Sequence, residues 1–146
     1  MSWIDDEELD PELRRILLKK MVRVLSAKKA EAKTKPTIIH VHNLKELNEL
    51  LRRANQEKKV VFVDFWAPWC PPCRLLEPIF EKAAKSFSEK AYFAKVNVDE
   101  ASDIAELYGI MSIPTIIAFY NSKPIDIKIG YVPEAYMMNW IERLLK

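Results

Sequence analysis

From residue 37 onward, short apolar runs alternate with segments in which apolar residues recur every three or four positions. The runs are typical of buried β-strands, and the helical spacing is typical of amphipathic helices. The sequence predicts the order βαβαβαββα, with strands at residues 38–41, 60–65, 92–98, 115–120 and 125–129 and helices at 43–54, 73–87, 101–108 and 133–145. Because the strands are almost continuously apolar, the sheet should be covered on both faces, which makes the fold class α/β.

Local signals place the ends of these elements. Asn43 followed three residues later by Glu46 is a capping pattern at the start of the first of these helices. Residues 66–72 should form a loop before the next helix, and Pro78 should kink that helix. A tight turn at residues 121–124 should join the last two strands.

Residues 1–36 have a different pattern, in which an acidic opening passes into a basic stretch. Pro11 begins a segment with helical apolar spacing, which predicts one amphipathic helix at about residues 11–30 and a linker at 30–36. We therefore expect a helical extension at 1–36 and a domain at 37–146. The apolar side of the helix can pack on its own domain or dock on a partner, including a second copy, and both alternatives stay open.

Composition and charge exclude several classes of protein. A chain of 146 residues is about one domain long, and 23 Lys and Arg against 21 Asp and Glu give no reason to expect nucleic acid or an anionic membrane as a partner. The apolar runs fall well short of the roughly 20 residues that cross a bilayer. The first residues have neither the basic start nor the apolar run of a secretion signal, so we expect a cytoplasmic protein.

The two cysteines, Cys70 and Cys73, form a C-x-x-C pair where a predicted strand passes into a helix. Such a pair indicates redox chemistry or metal binding. Disulfide exchange needs a thiolate that attacks and a second thiol that releases the mixed disulfide, and a helix N-terminus lowers the pKa of the first thiol. The alternative is a zinc site completed by His40 and His42, although a surface face of the first strand also accounts for these histidines.

Asp64 lies inside the apolar run that precedes the cysteines. Burying a carboxylate costs free energy unless the group has a partner or a function. The sequence therefore marks Asp64 as a candidate functional residue.

Residues 63–73 read Val-Asp-Phe-Trp-Ala-Pro-Trp-Cys-Pro-Pro-Cys, and they are followed by Pro78, Gly109-Ile110 and Ser112-Ile113-Pro114-Thr115. In these motifs and in its order of elements, the chain resembles the thioredoxin family over about residues 37–146, but not over 1–36. The resemblance implies a five-stranded mixed sheet, with a parallel set next to an antiparallel final hairpin, and helices on both faces. It also implies a thiol–disulfide oxidoreductase that reduces protein disulfides, holds no cofactor and receives electrons from a separate thioredoxin reductase.

The resemblance implies a role for each residue of the site. Cys70 is expected to be the nucleophile and Cys73 the resolving cysteine. Asp64 would be the buried base that helps to deprotonate Cys73 through water, with its pKa raised by desolvation. Lys95 occupies the family-matching position on the neighbouring strand and could be the partner of Asp64, although a lysine that reaches from the surface fits as well.

The resemblance also implies a substrate surface around Cys70. Ile113-Pro114 matches the family's cis-proline, beside which an extended substrate segment can pair. The substrate-binding residues expected from the resemblance are Trp69, Pro71, Ile113, Pro114 and Gly130, with Tyr131 next to them. Trp66 and Pro78 are expected to be structural.

Pro71 departs from the Cys-Gly-Pro-Cys that is most common in the family. Pro71 and Pro72 both lack an N–H, so the segment between the cysteines is stiff and has fewer donors for a thiolate. This affects the balance between reductant and oxidant, and a protein disulfide oxidase or isomerase stays open as an alternative. A binding module that docks through the helix at 11–30 is another. Arg74, where the family usually has Lys, provides a positive charge nearby or is simply a solvated helix residue.

Overall fold

The structure is a computed structural model, and it describes residues 11–13, 15–16, 19–20 and 37–146. The chain divides into two compact units, residues 1–36 and 37–146. The described residues of the first unit are helical and exposed, and the rest of the predicted helix at 11–30 and the linker at 30–36 lie outside the described residues. Docking or self-association through this helix stays a prediction. Among the described residues, no helix is both long and apolar enough to span a membrane.

The second unit has the predicted order βαβαβαββα. Its elements are β1 (Ile38–Val41), α1 (Leu44–Gln56), β2 (Val60–Trp66), α2 (Pro71–Ser86), β3 (Ala91–Asn97), α3 (Ser102–Leu107), β4 (Thr115–Tyr120), β5 (Lys123–Ile129) and α4 (Glu134–Leu144).

The five strands form one sheet in the order β1-β3-β2-β4-β5. The first three strands are parallel to each other, whereas β4 is antiparallel to β2 and β5 is antiparallel to β4. The α/β fold class and the mixed sheet with a final hairpin are thereby confirmed. The cysteines follow the central strand β2, so the site is built on the most buried part of the sheet.

Alternating residues of β2 supply the cores on the two faces of the sheet. Val61, Val63 and Phe65 belong to the core that α1 and α3 cover. Phe62 belongs to the core under α2 and α4, where its ring meets Trp140 edge to face at 5.4 Å between centroids. Because β2 is buried on both faces, its sequence reads as a continuous apolar run that only Asp64 interrupts.

Two elements begin two residues before their predicted starts, and proline explains both. Helix α2 begins at Pro71 rather than Cys73, because the first helical positions need no N–H donor and the fixed φ of proline suits them. Strand β5 begins at Lys123 and contains Pro124, which an edge strand tolerates. The turn before β5 is therefore only Asn121 and Ser122, both with positive φ (55° and 64°), as tight hairpins require.

The cap of α1 gives a testable prediction. Asn43 Oδ1 accepts the backbone N–H of Glu46 at 2.9 Å, so Asn43→Ala should lower the free energy of unfolding by about 1 kcal/mol. Urea unfolding of the oxidised protein would measure this loss. Asn48→Ala is the matched control, because Asn48 is exposed inside α1 and alanine has the higher helix propensity there. Equal losses in both variants would contradict a capping role.

Candidate active site

Cys70 and Cys73 form a disulfide at the N-terminus of α2. Cys70 is the N-cap residue, and its Sγ accepts the backbone N–H of Cys73 at 3.3 Å. Only 3% of Cys70 and 4% of Cys73 are exposed. The pair is therefore enclosed by protein and lies at a helix N-terminus, which carries partial positive charge.

The two prolines between the cysteines determine which donors the helix end offers. Pro71 and Pro72 occupy the first two helical positions and have no N–H. Cys73 therefore supplies the first N–H of α2, and this group points at the sulfur of Cys70. Arg74 does not reach the sulfur in this way, because its Nη2 donates to the carbonyl oxygen of Pro68 at 2.9 Å and holds the preceding loop.

A second segment faces the cysteines across the site. The Ile113–Pro114 peptide bond is cis, as the resemblance implies. The Sγ of Cys70 lies 3.7 Å from the carbonyl oxygen of Ile113. Gly130 donates its N–H to the carbonyl oxygen of Pro114 at 2.8 Å, with a φ of +86° that favours glycine. The structure thus brings Cys70, Ile113, Pro114 and Gly130 together.

Trp69 stands out from this site, with 66% of its surface exposed. Its Nε1 donates to Oδ2 of Asp99 at 3.0 Å, which fixes the direction of the indole ring. Tyr131 is also exposed, and Met111, two residues before Ile113, is 98% exposed. Sequence reasoning missed Asp99 and Met111. The position of Asp99 just after the third predicted strand was the available signal, because parallel strands end at the same edge of a sheet.

Asp64 is 1% exposed, on the face of the sheet that α2 covers. It pairs in register with Lys95 on β3 and with Ile116 on β4. Burial raises the pKa of Asp64 to about 7, the direction predicted from the sequence; Lys95 opposes this increase and Glu77 adds to it. Among the described residues, Oδ1 of Asp64 has no hydrogen-bond partner. The carboxyl group therefore exchanges its proton near neutral pH.

Lys95 is buried, with 6% of its surface exposed, so it is not a lysine that reaches into solvent. Its Nζ lies 3.5 Å from Oε1 of Glu77 and 4.6 Å from the centroid of the Trp66 ring. Trp66 in turn packs against the cysteine pair, in agreement with its expected structural role. Lys95 thus lies next to Asp64 in the sheet and also contacts the turn of α2 that follows Cys73. Sequence reasoning missed Glu77, although its spacing of four from Cys73 on one helix could have indicated it.

The zinc alternative receives no support from the described residues, which contain no group of three or more His, Cys, Asp or Glu side chains able to hold a metal ion. His40 is exposed on β1, in register with Lys95. His42 lies beyond β1, and its Nδ1 is 3.0 Å from Oε2 of Glu46. Both histidines thus have Lys95 or Glu46 as the neighbour recorded for them, and not the cysteines.

Comparison with known proteins gives a consistent picture. The sequence model of the thioredoxin family matches residues 38–143. Thioredoxin from Mycoplasma genitalium is 44% identical over 102 residues, which cover 70% of this chain and 95% of that protein. Chloroplastic thioredoxin M4 from Arabidopsis thaliana is 40% identical over 112 residues, covering 77% of this chain and 58% of that protein. The crystal structure of Fasciola hepatica thioredoxin superposes with a TM-score of 0.67 at 30% identity, covering 74% of this chain and 99% of that one.

Proposed function

The chain belongs to the thioredoxin family and is a protein-disulfide reductase, and from this premise we propose that Cys70 attacks the substrate disulfide and that Cys73 resolves the product with Asp64 as its base. The observation that supports this assignment most directly is the position of Cys70 as the N-cap of α2. Its sulfur accepts the N–H of Cys73 there, and a helix N-terminus stabilises a thiolate.

In the proposed cycle the Cys70 thiolate attacks one sulfur of a substrate disulfide, and the other substrate sulfur leaves as a thiolate that takes up a proton. Cys73 then gives its proton to Asp64, and its thiolate attacks Cys70 Sγ in the mixed disulfide. The second substrate sulfur leaves as a thiolate and takes up the proton that Asp64 received from Cys73, and the protein is left with its Cys70–Cys73 disulfide. The substrate has gained two electrons and two protons. A dithiol reductase partner then supplies two electrons and two protons to this protein and so restores its two thiols.

The assignment of Asp64 as the base is supported by its pKa of about 7. A carboxylate with an ordinary pKa is a weak acceptor for a thiol proton, whereas a base with a pKa near the working pH is an efficient one. Lys95 would act through its charge, because it lowers the cost of ionising Asp64.

We assign the substrate surface to Trp69, Pro71, Ile113, Pro114 and Gly130. An extended segment that carries the disulfide could lie along the cis Ile113–Pro114 backbone, next to the sulfur of Cys70. The ring of Trp69, held by Asp99, would cover the other side of such a segment. Pro71 is exposed next to Cys70 in the chain.

The proposed direction is reduction, with electrons from a thioredoxin reductase, in a reducing compartment such as the cytoplasm. Pro71 and Pro72 leave the N–H of Cys73 as the first donor of α2 for a Cys70 thiolate. A reduced state that receives less stabilisation gives up its electrons more readily, which favours a reductant over an oxidant.

Equilibration with glutathione and dithiothreitol buffers, followed by counting thiols by mass, tests this direction. We expect a reduction potential well below the glutathione poise of the cytosol, about −240 mV. A markedly higher value would favour an oxidase or isomerase, and the absence of a reversible Cys70–Cys73 bond would contradict the redox function itself. Cys73→Ser is the control, because it cannot form the bond.

A further inference from the structure

Glu77 lies one helical turn after Cys73 in α2, on the same side of the helix. Half of its side chain is exposed, whereas its partner Lys95 is almost fully buried, and their charged atoms are 3.5 Å apart. Glu77 therefore meets the buried ammonium from the solvent side of the site.

Lys95 stands between two carboxylates. Asp64 is its register neighbour on β2, and Glu77 binds its Nζ from α2. One ammonium cannot neutralise the charge of both carboxylates fully. The contact with Glu77 therefore reduces the electrostatic stabilisation that Lys95 gives to an ionised Asp64. The Trp66 ring lies against the same Nζ, with its centroid 4.6 Å away.

We propose that Glu77 is a positioning residue for the resolving step, and that through Lys95 it sets the pH range in which Asp64 accepts the proton of Cys73. This inference rests on the proposed role of Asp64 as the base. Glu77 touches neither the sulfur atoms nor the substrate in this scheme. It acts on the reaction through its charge, mainly by holding Lys95 and in part by repelling an ionised Asp64 directly.

The electrostatics of the site agree with this geometry, since Lys95 and Glu77 are the two charges that shift the pKa of Asp64 besides burial. Among the described residues, no further charge contributes to that shift. Further polar groups on this face include His40 on β1, the cysteine pair at the start of α2, Lys128 on β5, whose Nζ lies 5.8 Å from the Trp140 ring, and Asp126 on β5, which accepts the Trp140 N–H.

Glu77→Gln tests the proposal, because it removes the charge and keeps the shape. A carboxyl titration of Asp64 in the oxidised protein, by infrared or carbon NMR spectroscopy, should have its midpoint lowered by about half to one pH unit. The resolving step can be followed after mixing the reduced protein with a dithiobis-nitrobenzoate, as the second release of coloured thiolate. The pH midpoint of that release rate should fall by the same amount.

Two controls separate the outcomes. Glu81→Gln neutralises an exposed glutamate one turn further along α2 and should move neither midpoint. In a Lys95→Met background, Glu77→Gln should lose at least half of its effect. An unchanged carboxyl midpoint in Glu77→Gln would overturn the inference and leave the proposed function intact. A shifted carboxyl midpoint with an unshifted rate midpoint would instead overturn Asp64 as the base, and with it the link to the reaction.

Discussion

The Cys73→Ser variant is expected to stop after the first exchange, with its steady-state reduction of a protein disulfide lowered by at least about 10³-fold. The physical reason is the geometry of α2, where Cys70 caps the helix and the sulfur of Cys73, three residues later, is the one that bonds to it. Serine cannot supply a thiolate, so the bond between Cys70 and the substrate has no internal nucleophile to break it. Cys70→Ser should lose turnover to the same extent, but without forming the bond.

Intact mass measurement distinguishes the two variants. After incubation with a disulfide-containing protein, Cys73→Ser should carry the mass of the substrate on Cys70, and dithiothreitol should remove it. Cys70→Ser should carry none, because Cys70 is the cysteine whose sulfur accepts a helix N–H and lies beside the carbonyl oxygen of Ile113, where a substrate segment could pair. A substrate adduct on Cys73 in preference to Cys70, or wild-type turnover in either variant, would contradict the proposed order of attack.

The elements of the domain were predictable because their signals are local. The apolar run of β2 and the cap at Asn43 are read from neighbouring residues, and both are found in the structure. The start of α2 was predicted two residues late, because proline was taken as a loop residue although the first helical positions accept it. The parallel set next to an antiparallel final hairpin came from the family resemblance, since the apolar pattern alone does not determine which strands are neighbours.

The parts of the site that sequence reasoning missed depend on contacts between distant residues. Trp69 and Asp99 are separated by 30 positions, and their hydrogen bond exists only because β2 and β3 end at the same edge of the sheet. Glu77 becomes relevant through Lys95, which lies on another element. Asp64, in contrast, was detectable, because a charge within an apolar strand is costly wherever that strand is buried.

Asp64 should make the free energy of unfolding fall as the pH rises, whereas a carboxylate usually makes it rise. Burial raises the pKa of this group to about 7 from an ordinary value of 3.8, so the folded protein holds the proton more tightly than the unfolded chain does. Between about pH 4 and pH 7 the unfolded chain is ionised first, and stability falls as the pH rises. At about 1.4 kcal/mol per pKa unit, the loss from this one residue amounts to about 4 kcal/mol and is complete above pH 7.

Asp64→Asn should remove this loss, because the amide does not ionise. Relative to wild type, the variant should gain about 4 kcal/mol of unfolding free energy between pH 4 and pH 8.5, measured by denaturant unfolding of both oxidised proteins. Asp126→Asn is the control, because its effect on the free energy of unfolding should have the opposite sign. Its hydrogen bond from Trp140 lowers the pKa of Asp126, so this carboxylate stabilises the fold above pH 4, and its loss should weaken the variant there. A pH-independent difference between wild type and Asp64→Asn would mean that the carboxyl group is not desolvated in the folded protein.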